Sequence, residues 1–175
     1  MKTLLFLLLI AAPAVLLADQ IFDKEEDQYV PEFDKSIDTR DLRIEGMPEY
    51  PRDENLRKLN IRHPRSIYYV DISSIDPGKD NVVRLVSVSV SQSGSRNVKY
   101  EGFDCGYKRY KQYGYGGSDQ KIHPFRVQEW KPLIDAGDGR YRSELVDNYL
   151  CNGFSYAASK KKILARMKRL QPYSE

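Results

Sequence analysis

The chain has little with which to hold a metal or a redox centre: two Cys, two His and one Trp among 175 residues. That leaves no room for a zinc cluster, an iron–sulfur site or a haem-attachment motif, and no cofactor is expected. It also lacks the G-x-S-x-G elbow of serine hydrolases and the H-E-x-x-H helix of zinc proteases. No Gly-rich loop sits between a strand and a helix to cradle phosphate, because Gly114-Tyr115-Gly116-Gly117 joins strand-like segments. Beyond residue 18 no apolar run is long enough to span a bilayer, and no internal repeat is seen. What is present is 41% hydrophobic, 30% charged and 11% aromatic. That composition excludes a collagen-like, disordered or integral membrane chain, and one domain is the default at this length.

The first eighteen residues read as a secretory leader. Lys2 supplies the positive start, residues 3–17 are apolar apart from Thr3 and Pro13, and Ala18 offers a small residue before the polar segment that Asp19 opens. The run is short for a spanning helix, Pro13 interrupts it, and no Lys/Arg stop-transfer cluster follows. Export to the periplasm is therefore expected. In an oxidising compartment an even count of thiols implies a pair, so Cys105 and Cys151 are expected to form a disulfide. The rival role, a catalytic thiol, needs a thiolate-stabilising neighbour, and sequence places neither His63 nor His123 beside either Cys.

Charge divides unevenly. Residues 19–62 hold 13 acids and 8 bases, whereas residues 63–175 hold 12 acids and 19 bases. The expected organisation is a leader over 1–18, an acidic flexible arm over 19–46, a domain over 47–153, and a basic helix over 154–175 packed on that domain or extending it. Tyr50-Pro51 lies in an extended lead-in, and Asp53 is expected to cap a helical turn reaching about Lys58. Strands follow at 67–72, 82–91, 97–105 and 107–115, with a short piece at 122–127. Ser93-Gly94-Ser95-Arg96 is the clearest hairpin loop. Arg140 to Leu150 places Tyr141, Leu145 and Tyr149 on one helical stripe, and the last helix is expected to put Tyr156, Ile163, Met167 and Leu170 inward. The fold class is α+β: a twisted antiparallel sheet of four to five strands with C-terminal helices on one face.

One feature of the alternation needs a special device. Val86, Val88 and Val90 share one face of their strand while Val83 and Leu85 lie on the other. Either the sheet is covered on both sides, or a bulge near Gly102 re-phases it; the bulge is the favoured reading because glycine is cheap there.

Three groups are candidates for binding. Tyr107, Arg109, Lys111, Tyr113 and Tyr115 fall on one face of a basic, aromatic strand that could stack rings on sugars while its cations hold anionic groups. The plainer reading is tyrosine in its favoured strand setting, half-buried with a wet hydroxyl. Lys162, Arg166 and Arg169 recur at helical spacing as a cationic stripe, either a solvated face near the negative end of the helix dipole or a contact for anionic headgroups or polysaccharide. Arg96 and Asn97, at a loop tip, form a small polar recognition spot. Trp130 is a sheet-capping core residue or an exposed stacking platform. Among possible acid–base groups, Glu101 and Asp104 read as a pair on an exposed strand.

The series Val82-Val83-Arg84, Ser93-Gly94-Ser95-Arg96-Asn97-Val98, Tyr100-Glu101-Gly102 and Cys105 resembles the CNP1-like (cryptic neisserial protein-like) family of Gram-negative envelope proteins. Tyr50-Pro51, Tyr69 to Asp71, Tyr113-Gly114-Tyr115-Gly116, Trp130, Arg142 and Asp147-Asn148-Tyr149-Leu150-Cys151 also fit. The likeness runs from about Pro48 to Cys151 and leaves the acidic arm and the basic last helix outside. It implies an exported protein with both Cys in the shared pattern. It brings no assigned activity, so it supplies no catalytic residue. The expectation is a periplasmic, non-enzymatic binding or envelope-associated component. Its partner is an anionic envelope constituent (lipid headgroups, peptidoglycan) or another envelope protein, with no nucleic acid expected. A cell-wall-directed hydrolase and a surface adhesin are the alternatives.

Overall fold

The computed structural model describes residues 46–61, 65–126, 128–153 and 155–174. The expected leader, the acidic arm apart from Gly46, His63 and Val127 lie outside the described residues.

Seven strands build one antiparallel sheet in which sequence neighbours pair: β1 (Leu56–Lys58), β2 (Ser66–Pro77), β3 (Val82–Ser91), β4 (Arg96–Asp104), β5 (Arg109–Gly116) and β6 (Ile122–Pro124), with β7 (Lys131–Pro132) against the start of β5. Four of these carry the expected β-branched and aromatic runs, and the β3–β4 turn uses Gly94 at φ 81°, where a side chain would be strained. The surplus over four to five strands comes from short edge pieces. The helical turn expected up to Lys58 is a single 3₁₀ turn at Asp53–Asn55, after which the chain extends as β1. Pairing with β2 closes an otherwise open sheet edge and buries Leu56 completely.

The two phases of β3 are explained by cover on both faces. Val83 and Leu85 join Tyr68, Val70 and Phe103 in a core under the helices. Val86 and Val88 join Leu56, Tyr69, Val98, Tyr100 and Tyr113 in a second core on the opposite face. Met47 and Tyr50 from the lead-in and Tyr173 from the tail pack over that second core. The β3–β4 register runs unbroken from Val82 opposite Asp104 to Val90 opposite Arg96, so the favoured bulge near Gly102 is absent from that pair. The slip lies one strand further on. Tyr100 pairs with Gly114 and Glu101 with Gln112, which leaves Tyr113 as the extra residue of β5. Gly102 serves the bulge from across the ladder: a Cβ there would stand 2.6 Å from the Tyr113 ring.

A second irregularity breaks the β2–β3 register between Asp71 and Asp76. The buried Asp71 carboxylate accepts hydrogen bonds from the backbone N–H and the hydroxyl of Ser73, and Ser74 Oγ accepts one from the Val86 N–H. Local side chains thus satisfy groups that the ladder drops.

On the helix side, α1 (Arg140–Leu145) continues into a π-turn (Val146–Leu150) that buries Val146 and Leu150. The chain then makes a small hairpin, β8 (Cys151–Asn152) with β9 (Tyr156–Ala157), before α2 (Lys160–Met167). The last helix therefore starts later than expected. Ile163, Met167 and Leu170 are buried as the spacing required, but Tyr156 belongs to β9 and is 70% exposed. Cys105 and Cys151 form a disulfide with Cα atoms 5.7 Å apart, which fastens the end of the π-turn to the sheet.

Candidate functional site

The basic, aromatic strand does not present its charges outward. Arg109 and Lys111 are buried, Lys111 to 2% exposure, and Tyr113 is wholly enclosed. The Tyr113 bulge also divides the expected face. Register places Tyr115 opposite Lys99, in the row of Glu101 and Phe103, whereas Lys111 stands opposite Gly102 on the other side. Tyr107 is exposed but lies in the turn before β5. Arg109 Nε donates to Asp104 Oδ2 at 2.9 Å, and Trp130 roofs both cations, 4.6 Å from the Arg109 guanidinium and 4.8 Å from the Lys111 ammonium. Trp130 is thus a half-buried cap on cations, a role intermediate between core residue and open platform. The five residues do not form one ligand surface; the burial of Arg109, Lys111 and Tyr113 exceeds even the plainer reading.

Glu101 and Asp104 are not surface carboxylates either. Glu101 is fully enclosed beneath α1, where Oε2 accepts from Ser87 Oγ (2.5 Å) and Tyr141 OH (2.7 Å) while Oε1 accepts from Arg142 Nε (2.8 Å). The Arg142 guanidinium lies on the Tyr110 ring at 4.0 Å. Burial, then the Glu101 charge, pushes the Tyr141 hydroxyl well above the usual tyrosine range, so it remains a donor. On the other face, Arg84 and Asp80 form a similar buried pair. Burial opposes ionisation of Asp80, yet the Arg84 guanidinium outweighs it and holds the carboxyl below the usual aspartate value. Sequence reading missed both keystones. For Glu101 the signal was there: it shares the period-two face of Phe103 and Cys105.

His123 lies in the middle of the short strand β6, hydrogen-bonded through Nε2 to Asp119 Oδ1 at 2.9 Å and packed near Tyr115, whose ring also meets Phe125. Among the described residues no group of three His, Cys, Asp or Glu side chains converges as metal ligands would.

The cationic stripe borders a groove. This groove of about 640 Å³ runs between α2 and the π-turn, lined by Asn148, Tyr149, Lys162, Arg166 and Arg169, with Glu144 as its acid. Arg166 is partly committed to the fold: Nη1 donates to the carbonyls of Tyr149 (2.7 Å) and Cys151 (2.9 Å), and Nη2 reaches Asn152 Oδ1 at 3.1 Å. It satisfies carbonyls at the end of the π-turn and so joins α2 to the disulfide. Lys162 and Arg169 are exposed along the same groove. The dipole argument for a merely solvated stripe is reversed for the lysines. Lys160, Lys161 and Lys162 make up the first turn of α2, with no acid among them, at the positive end of the helix. Stability alone disfavours that arrangement; an anion placed there would relieve it.

Arg96 and Asn97 separate. Asn97 is exposed in β4, whereas Arg96 turns back to Asp53 at 2.6 Å and borders a second groove formed with Tyr50, Pro51, Arg52 and Gln120.

Among known families, the model described as the CNP1-like family matches residues 40–168. The match extends beyond the stretch from Pro48 to Cys151 at both ends and takes in all of α2, which the sequence resemblance had left outside. No curated protein and no solved structure matches the chain.

Proposed function

The chain belongs to the CNP1-like family, and from that premise we propose that it is an exported, disulfide-bonded periplasmic binding component without catalytic chemistry of its own. Its α2 groove contacts an anionic surface or an acidic partner of the cell envelope. The observation that carries this reading is the convergence of Lys162, Arg166 and Arg169 on one groove, with the lysine-only first turn of α2 beside it. Exposed cations of this kind attract a polyanion at long range. The disulfide supports an oxidising compartment. Glu101 and Asp104, the nearest candidates for acid–base work, are spent on internal pairs with Arg142 and Arg109.

The test is co-sedimentation of the purified chain with phosphatidylglycerol vesicles and with peptidoglycan sacculi over a series of salt concentrations. Binding should weaken steeply as the Debye length shortens from about 10 Å at 0.1 M to about 3 Å at 1 M. Binding to neither material, or binding that ignores salt, overturns the proposal.

A further inference from the structure

Two grooves of opposite sign meet at Glu144 of α1, which lines both. On the side facing α2, Lys162, Arg166 and Arg169 stand against Glu144. On the other side is a groove of about 420 Å³ in which Asp135, Glu144 and Asp147 stand against Arg140. Arg140 is engaged there, with Nε 3.5 Å from Asp135 Oδ1. With Glu144 counted on both sides, one groove keeps an acidic surplus and the other a cationic one. Both sets of charges are accessible: Asp147, Lys162 and Arg169 are exposed, and the Asp135 side chain is 76% exposed. Asp147, Lys162 and Arg169 make no ion pair with any described residue.

Adjoining patches of opposite sign are self-complementary under a two-fold rotation. An axis between them lays the acidic groove of each copy on the cationic groove of the other, so one contact answers both. A polyanion answers only the cationic groove and is repelled by its acidic neighbour. In the symmetric arrangement α2 of each copy lies along the acidic groove of the other. The crest that carries Glu144 enters the opposite cationic groove, which sets each Glu144 among cations rather than against its twin. Exposed ion pairs alone contribute little, and a stable interface also needs an apolar centre. Ile61 supplies apolar surface in the acidic groove, and Tyr149 and Ala165 supply it in the cationic one. Ile134, next to Asp135 in sequence, is 60% exposed.

We infer that the chain forms a two-fold symmetric dimer in which the acidic groove beside α1 occupies the cationic α2 groove of a second copy. This rests on the reading that the α2 groove takes an acidic partner, and it names that partner. The lysine-only first turn of α2, at the positive end of the helix, then lies against carboxylates of the other copy.

The experiment is sedimentation velocity of the full chain over a dilution series, at about 0.1 M salt and at about 1 M, where the Debye length falls from about 10 Å to about 3 Å. A reversible dimer is expected at the lower salt and a monomer at the higher. Charge reversal tests which faces meet. Lys162→Glu with Arg169→Glu makes both grooves acidic, and Asp135→Lys with Asp147→Lys makes both basic. Each double variant alone should dimerise more weakly by about tenfold or more. An equimolar mixture of the two should recover the dimer, because each variant then meets the charge it lacks. A native chain that is monomeric at both salts, a dimer that ignores salt, or a mixture that does not recover overturns the inference. The salt series on the native chain decides the matter even where a variant fails to fold. Phosphatidylglycerol vesicles separate the dimer from the broader reading of the groove. The Asp135→Lys, Asp147→Lys variant keeps the α2 cations and should bind them at least as tightly as the native chain. A native chain that binds vesicles but never dimerises refutes the second copy as partner and leaves the anionic-surface reading in place.

Discussion

Replacing Glu101 by Gln keeps the shape of the side chain and removes its charge from a site with no solvent access. The hydroxyls of Ser87 and Tyr141 can turn to accept from the new amide. Arg142 cannot adapt in that way: it stays ionised, 9% exposed, with the ring of Tyr110 at 4.0 Å and that of Tyr141 at 4.7 Å against it. A desolvated cation–π contact is worth about 2 kcal/mol. Removing one partner of a buried ion pair costs about 3–5 kcal/mol, so the aromatic faces do not rescue the charge. Glu101→Gln should therefore lower the unfolding free energy by about 3–5 kcal/mol, a fall in Tm on the order of 10 °C or more. Urea unfolding followed by far-UV circular dichroism, with the disulfide intact, measures it. Adding Arg142→Met removes the stranded charge, so the double variant should be no less stable than Glu101→Gln alone. A loss under 1 kcal/mol for Glu101→Gln, or strict additivity with Arg142→Met, would refute the reasoning.

Three other perturbations have definite expectations. Asp80 has its folded pKa depressed by Arg84, so its contribution to stability is complete above the unfolded aspartate value of about 3.9 and is lost as pH falls through the folded value; Asp80→Asn should flatten that acid limb in unfolding curves taken between about pH 4 and 2. Gly102→Ala places a Cβ 2.6 Å from the Tyr113 ring and 3.0 Å from Val82 Cγ1, so urea unfolding should show a loss of about 1–3 kcal/mol from overpacking, and no loss would contradict the placement of Tyr113. Replacing Cys105 and Cys151 together by Ser opens a link between residues 46 apart in sequence; chain entropy puts the cost at roughly 4 kcal/mol, and the thermal melt should fall accordingly.

The central strands were legible because they alternate cleanly and are separated by strong turn residues such as Ser93-Gly94-Ser95. The two phases of β3 were legible too, but period two alone cannot distinguish a bulge from a sheet covered on both faces. What decides it is distant: Met47, Tyr50 and Tyr173 pack on the second core from opposite ends of the described chain. The Tyr113 bulge was hidden because residues 107–115 alternate without a visible break, and the space for the ring is made by Gly102 on another strand. Tyr156 matched a helical position by spacing, yet the β8–β9 hairpin takes it first. Of the candidate site, the cationic stripe on α2 was readable from its spacing. The role of Arg166 was not, since its acceptors Tyr149, Cys151 and Asn152 come from the chain 14 to 17 residues earlier. Arg109 and Lys111 were misplaced because an alternating basic strand looks the same whether its cations face water or lie under Trp130.

The most direct measurement is the dependence of vesicle affinity on salt for the native chain and for the Lys162→Gln, Arg169→Gln double variant, with phosphatidylglycerol as the lipid. Both side chains are exposed and neither contributes to the buried cores, so the variant should melt as the native chain does. The account predicts that the logarithm of affinity falls with the logarithm of salt concentration, and that the variant binds more weakly with a shallower slope. Equal affinity and equal slope for the two proteins would contradict it.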